Sequence, residues 1–276
     1  MCVIFFLDRL FVIEGIFVEQ ERPQLISVII PAYNAEKTIK EAVDSVLSQT
    51  YGNLDVIVVD DCSTDGTKKI LEDLADKDSR VRFFSNDTNI GALKTRLAAV
   101  RAAFGKWIAF LDSDDIWEKD KLEKQVKLQQ ETASHLVYTG TGYIGKNGEP
   151  ISFVLHVPTE VTYKKLMKQN VISNSSVLVL KDVFLRYTPI SEDENDMHED
   201  FACWLSILNN GYRVCGIDEP LVKYRVSGES MTSNKFHAAV LNWRTYRYIG
   251  LNVFQAAFYM VFYAVNGVIK YSHLKE

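Results

Sequence analysis

Three short apolar runs, and a fourth broken by Arg82, limit what this chain can fold into. They occupy residues 26–30 (Ile-Ser-Val-Ile-Ile), 56–59 (Val-Ile-Val-Val), 81–84 and 107–111 (Trp-Ile-Ala-Phe-Leu). The stretches between them space their apolar residues as helices do. Ile39, Val43, Val46 and Leu47 share one face in the first, Ile70, Leu71 and Leu74 in the second, and Leu93, Leu97 and Val100 in the third. A strand apolar without alternation is buried on both faces, which is the situation of a parallel strand between helical layers. Strand–helix repetition of this kind predicts an α/β fold with a mostly parallel sheet flanked by helices. With 276 residues, 47% of them hydrophobic and 24% charged, the chain can build one large core plus a small appendage. The formal net charge of −5 gives nucleic acid no reason to be a partner.

In open parallel sheets, ligands bind at the carboxyl ends of the strands. Pro31, Tyr33 and Asn34 follow the first run, Asp60 and Asp61 the second, and Asp112, Ser113, Asp114 and Asp115 the fourth. Asp112 and Asp114 are two carboxylates one residue apart at a strand end, a pattern that holds a hard divalent cation such as Mn²⁺ or Mg²⁺. The same acids also suit the cap of a following helix. One of Asp60 and Asp61 serves the Ser63-Thr64-Asp65-Gly66 turn, and the other suits the imide of a uracil beside the Tyr33 ring. Later in the chain, residues 192–200 are densely acidic and read as a loop ending at a helix that carries Trp204, Leu205 and Leu208. Glu199 and Asp200 read equally as a cap for that helix or as an acid pair for proton transfer. Residues 121–130 read as a helix, and 136–141 and 175–180 as strands.

Taken together, Ser27-Val-Ile-Ile-Pro-Ala-Tyr-Asn34, Val59-Asp-Asp-Cys-Ser-Thr-Asp-Gly66, Asn89-Ile-Gly91 with Arg96, and Phe110-Leu-Asp-Ser-Asp-Asp115 resemble glycosyltransferase family two. His198-Glu-Asp-Phe-Ala-Cys-Trp-Leu205 is similar to that family's catalytic segment, and residues 224–234 resemble its donor-closing loop. The likeness is greatest to teichuronic-acid and exopolysaccharide transferases. It implies the GT-A fold, an inverting reaction, a nucleotide-sugar donor and a divalent metal. It also implies roles: Pro31, Tyr33 and Asp61 on the nucleoside, with Asn34 and Asp60 beside them. Asp112 and Ser113 lie near the ribose and diphosphate, and Asp114 and Asp112 on the metal. Arg96 either approaches the diphosphate or orders the site. Asp200 is the general base, with Glu199 as neighbour or acceptor contact. Arg225 either contacts the diphosphate or pairs with a loop acid, and His198 reads as a surface residue. The processive synthases' QxxRW motif is missing, which implies one sugar per encounter.

A sugar nucleotidyltransferase is the alternative enzyme, though Pro31-Ala-Tyr-Asn34 is not its glycine-rich signature. A non-catalytic nucleotide-sugar-binding subunit is the alternative outside enzymes. With uracil at Asp61, the donor expected is a UDP-sugar and the acceptor a saccharide or lipid-linked hydroxyl.

The expected divisions are an apolar extension (1–24), the GT-A domain (25–233) and a C-terminal helical segment (234–276). Residues 2–18 are broken by Asp8, Arg9 and Glu14, which fits neither a signal peptide nor a span. An amphipathic surface segment and a plain extension both remain open. Cys2, Cys62, Cys203 and Cys215 follow no metal or disulfide spacing and read as reduced thiols. From residue 234 onward Glu276 is the only acid, against Lys235, Arg244, Arg247, Lys270 and Lys275 with interleaved aromatics. Such a helix suits the interface of an anionic membrane, and packing on the core or in a homodimer is the other reading. The location expected is cytoplasmic, peripheral to the inner face of the plasma membrane.

Overall fold

The computed structural model describes residues 10–13, 16–19, 23–190, 197–226 and 235–273. The acids at 192–196, residues 227–234 of the donor-closing loop and parts of the N-terminal extension therefore lie outside the described residues. Strands β1 (Leu10–Ile13) and β2 (Ile16–Glu19) pair antiparallel as a separate hairpin.

The main sheet begins with β3 (Ile26–Ala32), α1 (Ile39–Leu47), β4 (Leu54–Asp60), α2 (Thr67–Lys77), β5 (Val81–Ser85), α3 (Ala92–Ala102) and β6 (Trp107–Phe110). The strands β5, β4, β3 and β6 lie side by side and parallel, as the alternating pattern predicts. Side chains leave successive residues on opposite faces. Val28, Ile30, Val56 and Val58 pack with α1 and α2 on one face. Ile29, Ile57, Ile108 and Phe110 pack with α3 and the later helices on the other. Two buried faces explain the unbroken apolar runs.

Beyond β6 the sheet becomes mixed. It adds β7 (Ile116–Trp117), α4 (Lys121–Thr132), β8 (Leu136–Ile144), β9 (Pro150–Leu155), α5 (Tyr163–Lys168), β10 (Leu178–Leu180), α6 (Lys181–Tyr187), α7 (Glu199–Asn209) and β11 (Val214–Arg225). The strand order is β5-β4-β3-β6-β10-β8-β11-β7, with β9 paired to β8. β10 enters antiparallel between β6 and β8, while β8 and β11 are parallel. The strand expected at 175–180 begins only at Leu178, because Asn174–Ser176 forms a 3₁₀ turn. The Ser176 hydroxyl donates to the Ser173 carbonyl at 2.7 Å, a local bond that competes with the sheet ladder. The sequence pattern also misses β11: Asp218, Glu219 and Pro220 break its apolar run at an irregularity in the pairing with β8.

Two helices follow, α8 (Lys235–Tyr248) and α9 (Val253–His273). Much of the aromatic content expected at a membrane turns inward. Tyr246 is buried, donates its hydroxyl to the Met167 carbonyl of α5 at 2.7 Å, and meets the Phe201 ring edge-on. Trp243, Tyr259 and Met260 pack against the same core. Among the described residues no helix is long and apolar enough to cross a membrane. Cys62, Cys203 and Cys215 are free thiols.

Candidate active site

The first two strand ends are stitched to each other. Asn34 sits in the left-handed region (φ 49), which Asn tolerates better than most residues. From there its N–H donates to the Ser63 hydroxyl at 2.9 Å, and its Oδ1 accepts the Thr64 N–H at 2.9 Å. Glu36 N–H donates to Asp65, and Glu36 Oε2 accepts the Gly66 N–H. Asn34 is thus a loop fastener, and Tyr33 stands beside it half exposed while Pro31 is partly buried at the end of β3.

Asp60 is 1% exposed and accepts from the Ser63 N–H and the Ser85 hydroxyl. Its geometry is that of the turn residue, so the expectation of donor contact is not supported for Asp60. Asp61 is also buried and straps down the loop before α3. Oδ1 accepts from Asn86 Nδ2 (2.8 Å) and Ile90 N (3.0 Å), and Oδ2 from Gly91 N (2.8 Å). Gly91 holds φ 86, a conformation that disfavours a side chain. One acceptor lone pair on Oδ2 stays unassigned.

The Asp112–Asp115 loop is held from below by the 3₁₀ turn at Asn174–Ser176. Ser175 Oγ accepts the Asp112 N–H (3.1 Å) and donates to Asp115 Oδ2 (2.6 Å). Asn174 Nδ2 donates to Asp112 Oδ1 at 3.1 Å. Asp115 Oδ1 takes the Arg225 backbone N–H at 3.0 Å, so this fully buried acid is a knot joining three elements. Asn174 and Ser175 escaped the sequence reading; a polar Asn-Ser-Ser triplet between two apolar runs was the available signal.

Arg225 ties the same loop from the side. Its Nε donates to the Asp114 carbonyl, Nη1 to the Gly145 and Lys146 carbonyls, and Nη2 to Glu41 Oε2 at 2.7 Å. With nearly all its donors engaged, Arg225 positions the loop; the expected diphosphate contact gains no support, and its acid partner is Glu41 on α1. Asp112, Ser113 and Asp114 stay partly exposed. Burial, then repulsion from Asp112, pushes the Asp114 carboxyl up to about 6.

Arg96 joins the two acidic groups. Its guanidinium is buried and donates to Glu199 Oε1 at 3.0 Å and Asp112 Oδ1 at 3.4 Å. Burial alone would lower its pKa, but the carboxylates of Asp112, Glu199 and Asp200 outweigh it and hold the charge. Of the two roles expected for Arg96, ordering the site is the one its contacts display. Asp200 lies in the first turn of α7, with Oδ1 accepting the Phe201 N–H. Burial and then the neighbouring Glu199 charge raise its carboxyl from 3.8 to about 6; His198, that N–H and Arg96 pull the other way. His198 is not a plain surface residue: its backbone N–H donates to the Thr245 hydroxyl, and its ring pairs with the Ala238 carbonyl of α8.

Among the described residues no three His, Cys, Asp or Glu side chains form a ready metal cage. Asp112 and Asp114 nevertheless fit a hard cation as a two-carboxylate site. Asp112 Oδ2 has no assigned donor, and the mutual repulsion of the pair is what a cation relieves. A cation bound by one or two carboxylates and completed by substrate phosphates is the ordinary Mg²⁺ arrangement.

Comparison with known proteins agrees with this layout. A family model for glycosyl transferase family 2 matches residues 27–186. The putative teichuronic acid biosynthesis glycosyltransferase TuaG of Bacillus subtilis is 38% identical over 247 residues, 89% of this chain and 97% of that protein. An alignment of that length necessarily spans Glu199 and Asp200. WfaP of Escherichia coli, a UDP-Glc:alpha-D-GlcNAc-diphosphoundecaprenol beta-1,3-glucosyltransferase, is 32% identical over 252 residues, 90% of this chain and 96% of its own. The crystal structure of S. aureus TarS 1–349 in complex with UDP superposes with a TM-score of 0.64 at 25% identity, covering 85% of this chain and 69% of that one. The sheet and its flanking helices have the GT-A fold.

Proposed function

Since the chain belongs to glycosyltransferase family 2 and is a glycosyltransferase, we propose that it transfers a sugar from a UDP-sugar to the hydroxyl of a saccharide or lipid-linked acceptor, with inversion, during bacterial cell-surface polysaccharide synthesis. The observation that carries the reading is the convergence of Asp112, Glu199 and Asp200 around buried Arg96, with Asp114 beside Asp112. UDP in the complex of TarS and the UDP-Glc donor of WfaP favour uracil. On this reading the Tyr33 ring covers the base, and the remaining lone pair of Asp61 accepts the imide N–H.

Asp112 and Asp114 would hold a Mn²⁺ or Mg²⁺ ion, which when bound neutralises diphosphate charge and improves the leaving group. The protein's own work is proton transfer and alignment. Asp200, with a carboxyl near 6, is ionised at neutral pH yet basic enough to accept the proton of the acceptor hydroxyl. The acceptor oxygen bonds to the anomeric carbon from the face opposite the diphosphate. The carbon–oxygen bond to UDP breaks, and its electron pair leaves with UDP. Arg96 keeps the loop and the base segment in register. The basic C-terminal segment would rest on the anionic inner leaflet, where lipid-linked acceptors are presented.

A screen of nucleotide sugars for slow hydrolysis, with and without metal, tests the reading. Hydrolysis of a UDP-sugar that stops in excess chelator and returns with Mn²⁺ or Mg²⁺ is expected. Full activity in chelator would remove the metal, and equal binding of UDP and GDP would remove the uracil assignment.

A further inference from the structure

A helix in water normally turns its apolar side inward. α9 has two apolar sides. Ala256 is buried, and Tyr259 and Met260 pack against the core. On the opposite face stand Phe254 (87% exposed), Phe258 (55%), Val261 (62%) and Val265 (54%), spaced four, three and four residues apart along one stripe. Residues 253–269 contain no charged residue, so the stripe is not interrupted by one.

The charge at its edge comes from elsewhere in the chain. α5, a helix of the catalytic domain, lies beside α9. Lys168 Nζ sits 4.9 Å from the Phe262 ring centroid, and Asn266 Nδ2 donates to the Lys168 carbonyl at 3.0 Å. A shallow depression of about 460 Å³ between the two helices is lined by Lys164, Met167, Phe254 and Phe258 among others. Lys164, Lys165 and Lys168 are all exposed. In sequence, residues 161–170 and 235–269 hold six lysines and arginines and no aspartate or glutamate, in a chain whose net charge is −5.

We infer that α5 and α9 together form a composite docking surface for an anionic phospholipid bilayer: the Phe254–Phe258–Val261–Val265 stripe enters the acyl boundary while Lys164, Lys165 and Lys168 meet the headgroup phosphates. This rests on the membrane reading above and moves its electrostatic half from the C-terminal segment into the catalytic domain. Two arguments select the bilayer. The pairing of an apolar stripe with a cationic margin is the composition of an interfacial helix. A second copy meeting this patch would add its own lysines to a margin that has no acid within residues 161–170 and 235–269 to pair with them, whereas a bilayer supplies phosphates. Lying flat, the 21 residues of α9 extend about 30 Å along the surface.

The test uses the full-length protein and vesicles of phosphatidylglycerol mixed with phosphatidylcholine, compared with phosphatidylcholine alone, at low and high salt. Wild type should float with the anionic vesicles at low salt and be released at high salt. K164E/K165E should weaken that partitioning about tenfold or more, the scale of two basic residues near an anionic surface. F254S/F258S should abolish it, and this variant removes exposed rather than buried groups. Both variants should hydrolyse the soluble donor like wild type, which reports an intact fold. Binding of K164E/K165E at wild-type strength, or equal binding to neutral vesicles, would overturn the composite surface. So would failure of wild type to bind anionic vesicles together with a dimer dispersed by F254S/F258S, which would mark the stripe as a self-interface. Donor hydrolysis is read without vesicles, so failure of the transferase reading shows separately.

Discussion

The two acidic clusters of this site are built on opposite principles. At Asp112–Asp115 every flank is fastened: Ser175 from below, Asn174 on Asp112, Arg225 along the side, and Asp115 as a buried knot. At Glu199–Asp200 the ties among the described residues are one arginine contact on Glu199 and one backbone N–H on Asp200. Both clusters contain a carboxyl raised to about 6. In the first, rigid placement of negative charge suits the cation and diphosphate that the proposed function assigns to it. In the second, a lightly held acid with elevated basicity suits the proton transfer proposed for Asp200. Geometry and proton affinity are separate design variables, and the protein has set them in separate segments joined by Arg96.

The largest effect should come from the second cluster. Asp200→Asn keeps the shape of the side chain and removes its basicity. Transfer should fall roughly a hundred- to ten-thousand-fold, the usual contribution of general-base assistance. UDP affinity, measured by titration calorimetry, should hold, since the proposed role of Asp200 is toward the acceptor hydroxyl. Near-normal turnover would erase the contrast between the clusters.

Ser175→Ala probes the first cluster. It leaves the buried Asp112 N–H without its acceptor and Asp115 without its shortest hydrogen bond. Stability in denaturant should drop by about 1–3 kcal/mol, the cost of such unsatisfied groups, and transfer should weaken with the loosened loop. Unchanged stability would mean that the loop is not held from below.

That pair of variants also measures how much of the site was written in the sequence. The parallel half of the sheet was legible because β3, β4 and β6 are apolar on both faces and each ends in a polar signature. Asp112 and Asp114 stood out for the same reason, whereas Asp200 stood out only through the family resemblance. The supports did not. Arg225 reaches Glu41, 184 residues away, and Ser175 reaches Asp115 across 60. Such contacts leave no periodicity, because topology alone brings them together. Asp60 and Asn34, chemically suitable for a ligand, also join loops, a second use that the sequence does not display.

A smaller effect of opposite sign should accompany the loss of base. In the folded state the Asp200 carboxyl lies near 6, above its ordinary 3.8. Ionising it therefore costs the folded protein stability, a cost that grows from about pH 4 and is complete above about pH 6. Asn never ionises. The elevation corresponds to ~3 kcal/mol; because Asp200 is partly exposed, Asp200→Asn should be more stable than wild type by about 1–2 kcal/mol at pH 8 and nearly equal to it at pH 4. The variant would thus gain stability while losing activity, whereas Ser175→Ala loses stability. Thermal denaturation at both pH values distinguishes them, and destabilisation at pH 8 would place Asp200 among the structural acids.

The smallest effect concerns how Asp200 acquires its basicity. Below about pH 6 its carboxyl is protonated and cannot accept the acceptor's proton, so kcat/KM for wild type should rise with pH through that value. After burial, the Glu199 charge is the next contributor to the elevation. Glu199→Gln removes that repulsion and also frees Arg96 from one of its two carboxylate partners. Both changes favour the ionised form of Asp200 and move the rising limb toward lower pH. A displacement of about half a unit, worth ~0.7 kcal/mol, is expected, with the plateau rate largely kept. If Glu199 were itself the base, the same substitution would instead collapse the plateau, and the two acids at the start of α7 would exchange roles.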